Sequence, residues 1–186
     1  MKINAWHFLR EDRKLQFPPH TKVKAGQTLK VKDEPVLCKS GLHASIRAFD
    51  ALGYAPGPIV CRVEISGQIV KGSDKLAGTE RKVLWMADAT ETLHVFSRWC
   101  ALDVIHLWKA PDIVLQYLKT GDESLRAAAW AAARAAAWAA ARDAAWDAAW
   151  DAAWAAAWAA AWDAAWDENL NRYNKKLTSM LNKLKP

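Results

Sequence analysis

Residues 126–170 read RAAAWAAARAAAWAAARDAAWDAAWDAAWAAAWAAAWDAAWDENL. Every fourth position is large: Arg126, Trp130, Arg134, Trp138, Arg142, Trp146, Trp150, Trp154, Trp158, Trp162, Trp166 and Leu170. Eight of the chain's twelve tryptophans fall here, and nearly everything between them is alanine. Such internal periodicity decides the architecture before any single residue does. Alanine is the best helix former, and neither Gly nor Pro interrupts residues 122–185. The expectation is one long Ala/Trp-rich C-terminal helix. Four residues advance a helix by ~400°, so the large side chains drift ~40° per repeat and either wind around a straight rod ~70 Å long or stay on one side of a helix that unwinds locally or breaks. A heptad seam drifts the other way and far more slowly, which excludes an ordinary coiled coil. Indole rings bury large areas, so the helix needs partners along its length. A domain of ~120 residues is too small to cover such a rod, and self-assembly is the expected outcome, with the eight indoles as oligomerisation residues.

Working outward, composition shifts near Gly121 and places a small domain at residues 1–121 and the repeat helix with its tail at 122–186. The 186 residues carry a net charge of +6, and residues 171–186 hold five basic groups and no acid. Cys38, Cys61 and Cys100 are an odd number, widely spaced and without a CxxC pair, which points to reduced thiols in a cytosol. The start, MKINAWHFLRED, has no apolar signal core. Residues 152–162 are uncharged over eleven positions, well short of the ~20 a spanning helix needs, so a soluble protein is expected.

The first domain reads as α+β: a small mixed sheet with helices. Residues 5–9 (AWHFL), 27–32 (QTLKVK), 59–66 (IVCRVEIS) and 81–87 (RKVLWMA) suit strands, 38–45 (CKSGLHAS) suits a turn at Ser40-Gly41 with a short strand, and Gly67 suits a turn. Ser45 is the expected cap of a helix over 46–54 with Phe49 and Leu52 inward. Asp88 opens a helix over 89–108 whose Leu93, Phe96, Cys100, Val104 and Leu107 form a buried stripe. Pro111 and Gly121 bracket a short helix. After Leu170, Tyr173, Leu177, Met180, Leu181 and Leu184 make an ordinary amphipathic stripe with a basic opposite face.

Phosphate-loop, dinucleotide-binding, metalloprotease, serine-hydrolase and zinc-ligand spacings are all missing. No metal is expected. One layout carries more chemistry. AWHFL with His7, then KSGLHASIRAFDALGYAPGPIVCRVEISG (residues 39–67), then TERKVLWMAD (79–88) resembles the ADP-ribosyltransferase fold of the poly(ADP-ribose) polymerase class. That resemblance implies NAD as cofactor. His7 would bond the ribose, Tyr54 would stack on the nicotinamide, and Glu80 would steady the developing cation. His43 and Ser45, in GLHAS, stand as candidate ligand contacts.

GLHAS, DALGYA, CRVEISG and LKTGDESLRAAAWAAARAAAW together resemble uncharacterised proteins of bacteriophages and prophages. These join a domain of unknown function to Ala-rich repeats, some of them labelled immunity proteins. The resemblance implies a mobile-element protein in the host bacterial cytosol. The leading expectation is an interaction protein: a homo-oligomer assembled through the repeat, displaying a ligand- or protein-binding domain that blocks a host protein. The competing expectation is an NAD-dependent ADP-ribosyltransferase using His7, Tyr54 and Glu80. A third is nucleic-acid binding through Arg172, Lys175, Lys176, Lys183 and Lys185, with steep salt dependence. The Asp residues of the repeat argue against nucleic acid, because they repel phosphate.

Overall fold

The computed structural model describes residues 1–107, 109–147 and 155–186, with side chains described outside 137–167. Two compact units emerge. One comprises Met1–Leu93 with Asn171–Pro186; the other comprises His94–Leu170.

The first unit is built on an antiparallel sheet of five strands: β1 Ile3–Leu9, β2 Thr28–Lys30, β3 Leu42–Ala44, β4 Ile59–Lys71 and β5 Leu76–Asp88. Strand order is β1-β4-β5-β2. β3 and β2 share the far edge of β5, β3 along Leu76–Gly78 and β2 along Glu80–Lys82. All pairings among the described residues are antiparallel, which corrects the expected mixed sheet. Parallel neighbours need a crossover of a dozen or more residues, usually helical. Here β4 and β5 join through a tight connection instead.

Gly67 is no turn. It lies inside the 13-residue β4, at φ 79°, where the β4–β5 register slips between Ser66 and Ile69. A Cβ there would lie 2.0 Å from Thr79 Oγ1, and a positive φ suits glycine alone. A second slip, between Arg62 and Val63, leaves Leu84 unpaired. A bulge of this kind re-aims side chains. It puts Val83 beside Val63 on one face and Trp85 beside Arg62 on the other.

Cross-strand partners share a face. One face carries Ala5, Leu9, Ile59, Cys61, Val63, Ile65 and Val83, closed over by Val23, Leu15 and Leu29. The opposite face carries Trp6, Phe8, Val60 and Trp85, at most 8% exposed. Trp6 and Trp85 meet edge to face at 5.8 Å, and the Arg62 guanidinium lies 4.6 Å from the Trp6 ring centre.

Helix α1, Ala48–Gly53, is shorter than expected. Ser45 does not cap it: its backbone pairs with Trp6, N–H to O 2.9 Å and O to N–H 2.7 Å. Arg47 takes the cap position, and the residues α1 buries are Ala48 and Ala51. Phe49 and Leu52 are half-buried.

Helix α2, Thr90–Asp103, starts from Asp88, whose Oδ1 accepts from the Thr90 N–H at 2.8 Å. Its expected stripe fails in part. Phe96 is buried, but Val104 and Leu107 are exposed. The α-helix ends at Asp103 and a 3-10 turn follows at Ile105–Leu107, shifting the phase of the stripe; Trp108 lies outside the described residues. Helix α3, Asp112–Thr120, begins after Pro111 and ends at Gly121 in the left-handed region, φ 71°. That is the proline-in, glycine-out pattern. Asp122 accepts from the Ser124 N–H at 2.9 Å and starts the next segment.

The single long Ala/Trp helix is not what the structure shows. Two helices are described instead, α4 Arg126–Asp147 and α5 Ala155–Asn182. Residues 148–154 lie outside the described residues. The last part of α5 belongs to the sheet unit. Leu177 and Leu181 are fully buried, the Phe49 N–H donates to Asn174 Oδ1 at 3.3 Å, and the Phe49 and Tyr173 rings lie 5.9 Å apart. The apolar stripe of the tail gives that end of α5 a core to join. Among the described residues no helix is long and apolar enough to cross a membrane.

Candidate functional site

The sheet unit holds a connected set of polar side chains that runs from its core to its surface. At the inner end, Arg81 sits on β5, paired across the sheet with Ile65 and Leu29. It is 2% exposed. Its Nη1 donates to the His43 carbonyl oxygen at 2.8 Å, while its Nε has no hydrogen-bond partner among the described residues. No carboxylate among the described residues pairs with it, and burial pushes its pKa down to about 10. A buried cation without a counter-charge is costly.

His7 and Cys61 face each other across β1 and β4. Burial, then the nearby Arg81 and His43, holds His7 well below the usual imidazole range, so it is neutral at pH 7. Burial pushes the Cys61 thiol up to about 12, which makes it an inert core residue.

His43 links this core to the surface. Its Nε2 accepts from the Cys38 N–H at 3.1 Å, and its Nδ1 lies 3.2 Å from the Gly41 carbonyl oxygen. A ring whose Nε2 accepts carries its proton on Nδ1, so both nitrogens are engaged. Burial keeps its pKa low. Cys38 adopts a left-handed conformation, φ 63°, and its side chain is exposed. The Tyr54 hydroxyl, then the Cys38 thiol, raises the Lys75 pKa above its ordinary value. Lys75 also donates to the Tyr54 hydroxyl at 2.9 Å and lies 4.2 Å from the Tyr54 ring centre. The Tyr54 hydroxyl in turn donates to Asp74. That bond, first among several causes, holds Asp74 below the usual carboxylate range.

The residues named from sequence therefore fall into separate surroundings. His7 belongs to the core cluster. Tyr54 lies on the surface beneath Lys75. Glu80 pairs with Lys30 at 2.7 Å and accepts from Ser66 Oγ at 3.2 Å, contacts that keep its pKa low. Among the described residues, no hydrogen bond, ion pair or ring contact joins any two of His7, Tyr54 and Glu80. His43 does enter the network, through its ring and its carbonyl. Ser45 contributes backbone to the β1 bridge. Arg81, Lys75 and Asp74 were not singled out from sequence, and Cys38 only as a reduced thiol. The signal for Arg81 was its inward place in the alternation of RKVLWMA. Lys75 and Asp74 sit in a polar turn that carries no pattern.

Among the described residues no group of His, Cys, Asp or Glu could hold a metal ion. An open surface cleft of about 430 Å³ is lined by Arg10, Glu11, Asp12 and Pro56, none of which belongs to the network.

A second feature lies in the other unit. Helix α4 packs on α3. Ala129 is 3% exposed and Val114 of α3 is 6% exposed, yet Trp130 is 64% exposed. The Arg134 guanidinium lies 4.7 Å from the Trp130 ring centre. The side chains of Trp138, Trp146, Trp150, Trp154, Trp158, Trp162 and Trp166, also named as oligomerisation residues, lie outside the described residues.

No curated protein matches the chain, and no solved structure does. The sheet from Asn4 onward, the core cluster around Arg81 and the start of α2 all fall within one family match: residues 4–95 match the model of DUF7666, a domain of unknown function.

Proposed function

We propose that this is an interaction protein that self-assembles through its Trp/Ala repeat and displays the antiparallel-sheet domain to a partner. The observation that carries the reading is the inversion on α4. The small residue, Ala129, is buried, and the large aromatic one, Trp130, stands in solvent. An ordinary helix does the reverse. Fully burying a side chain of that size is worth ~2–3 kcal/mol or more, so a repeated row of them favours association.

The domain network supports a binding role over catalysis. His43 has both ring nitrogens engaged, His7 is neutral and set in the core, and Glu80 is ion-paired. In the mobile-element setting suggested by the repeat, the displayed domain would bind and block a host protein in the bacterial cytosol. Native mass by light scattering tests the assembly. A multiple of the 20.7 kDa chain mass at micromolar concentration supports it, and a monomer removes it.

A further inference from the structure

The repeat is divided by charge. Residues 126–142 contain Arg126, Arg134 and Arg142 and no acid. Residues 143–170 contain Asp143, Asp147, Asp151, Asp163, Asp167 and Glu168 and no base. The basic block belongs to α4, while Asp163, Asp167 and Glu168 belong to α5. Like charges in register repel, and opposite charges attract and set orientation.

From this division we propose that two copies associate antiparallel, α4 of one along α5 of the other. The proposal rests on the self-assembly reading above. Pairing about the middle of the repeat brings position 134 opposite position 162, next to Asp163. It also brings position 126 opposite 170, within a turn of Asp167 and Glu168. A stagger of two residues that sets position 134 opposite 160 puts each Trp position opposite an Ala position of the other copy. That is knob-into-groove packing, and it keeps Arg134 within one turn of Asp163. Parallel association instead sets each Arg against its own counterpart and the series Asp143, Asp147, Asp151 against itself. The occupant is a second copy because Trp130 stands in solvent in the single chain. The acidic block that complements Arg126 and Arg134 is carried by every copy.

The test uses the full chain with Arg134→Lys, which keeps the charge and supplies an amine. Light and ¹⁵N-labelled protein are mixed, allowed to exchange, and treated with a carbodiimide. The reagent activates a carboxylate and joins it to the amine as an amide. The expected product is a peptide pair of hybrid isotopic mass linking position 134 to Asp163. Hybrid pairs linking position 134 to Glu123 or Asp143 would mean a parallel arrangement and overturn the proposal. Links confined to one isotope would mean pairing within a chain and also overturn it. The double variant Arg134→Glu/Arg142→Glu gives an independent arm. Its dissociation constant should rise about tenfold or more, and unchanged assembly would count against the proposal. A monomeric native mass for the unmodified chain would instead remove the self-assembly reading itself, so the two failures are distinct.

Discussion

Arg81 Nη1 donates to the carbonyl oxygen of His43 at 2.8 Å, and this is the hydrogen bond that anchors a guanidinium 2% exposed. The cost of burying the cation exceeds what one hydrogen bond returns. Arg81→Met keeps the volume and removes the charge. It is expected to be at least as stable as the parent in urea unfolding at pH 7. Arg81→Lys keeps the charge on a more strongly hydrated group and should lose ~1–3 kcal/mol. An Arg81→Met protein that unfolds far more easily would mean that the guanidinium has a partner outside the described residues.

His7 sets a pH window. Its folded pKa lies well below the unfolded 6.5, chiefly through burial. Below pH 6.5 the unfolded chain therefore takes up a proton that the folded chain refuses. Stability falls as pH drops from about 7 to 5, by at most ~1.4 kcal/mol per pH unit for this one group. His43 acts in the same direction. In His7→Leu the decline should be shallower across that range. Asp74 and Glu80 have lowered values and lose their contribution only below about pH 4.5, so the two windows separate in an equilibrium unfolding series. Parallel curves for parent and variant between pH 7 and 5 would contradict the assignment.

Leu177 is fully buried on a helix end that belongs to the sheet unit, 89 residues beyond the last strand residue, Asp88. Leu177→Ala should cost ~2–5 kcal/mol, read by urea unfolding of the whole chain. A loss below 1 kcal/mol would mean that this part of α5 does not seal the unit in solution.

Trp130→Ala separates folding from assembly. The ring is 64% exposed, so its removal should change stability by no more than ~0.5 kcal/mol. Under self-assembly the native mass shifts toward the monomer at a concentration where the parent is associated. A variant that folds and associates like the parent would show that the indole takes no part.

Much of the sheet could be read from the chain, because β1, β4 and β5 follow apolar alternation and the helix between Pro111 and Gly121 is bracketed by its own punctuation. The tail stripe at Tyr173, Leu177 and Leu181 was legible for the same reason. Gly67 was misleading. A glycine between apolar runs signals a turn, and only pairing with β5 reveals it as a slip within one strand. Ser45 has the chemistry of a helix cap, but Trp6 claims its backbone first. The long helix failed for a different reason. Local propensity says nothing about where a helix ends up, and the tail found a core of its own. The polar network was illegible as a whole, since Cys38, His43, Lys75 and Arg81 meet only through loops and cross-strand neighbours.

The seating of Leu177 and Leu181 has a consequence for synthesis. On the ribosome, the unit that begins at Met1 must wait for these two leucines before its packing is complete. Until then an apolar seam stays open to water, and a chain stalled or clipped within the Trp/Ala stretch keeps that seam for good. Fragments ending there would expose greasy surface from both parts at once, the mark by which chaperones and proteases find unfinished protein.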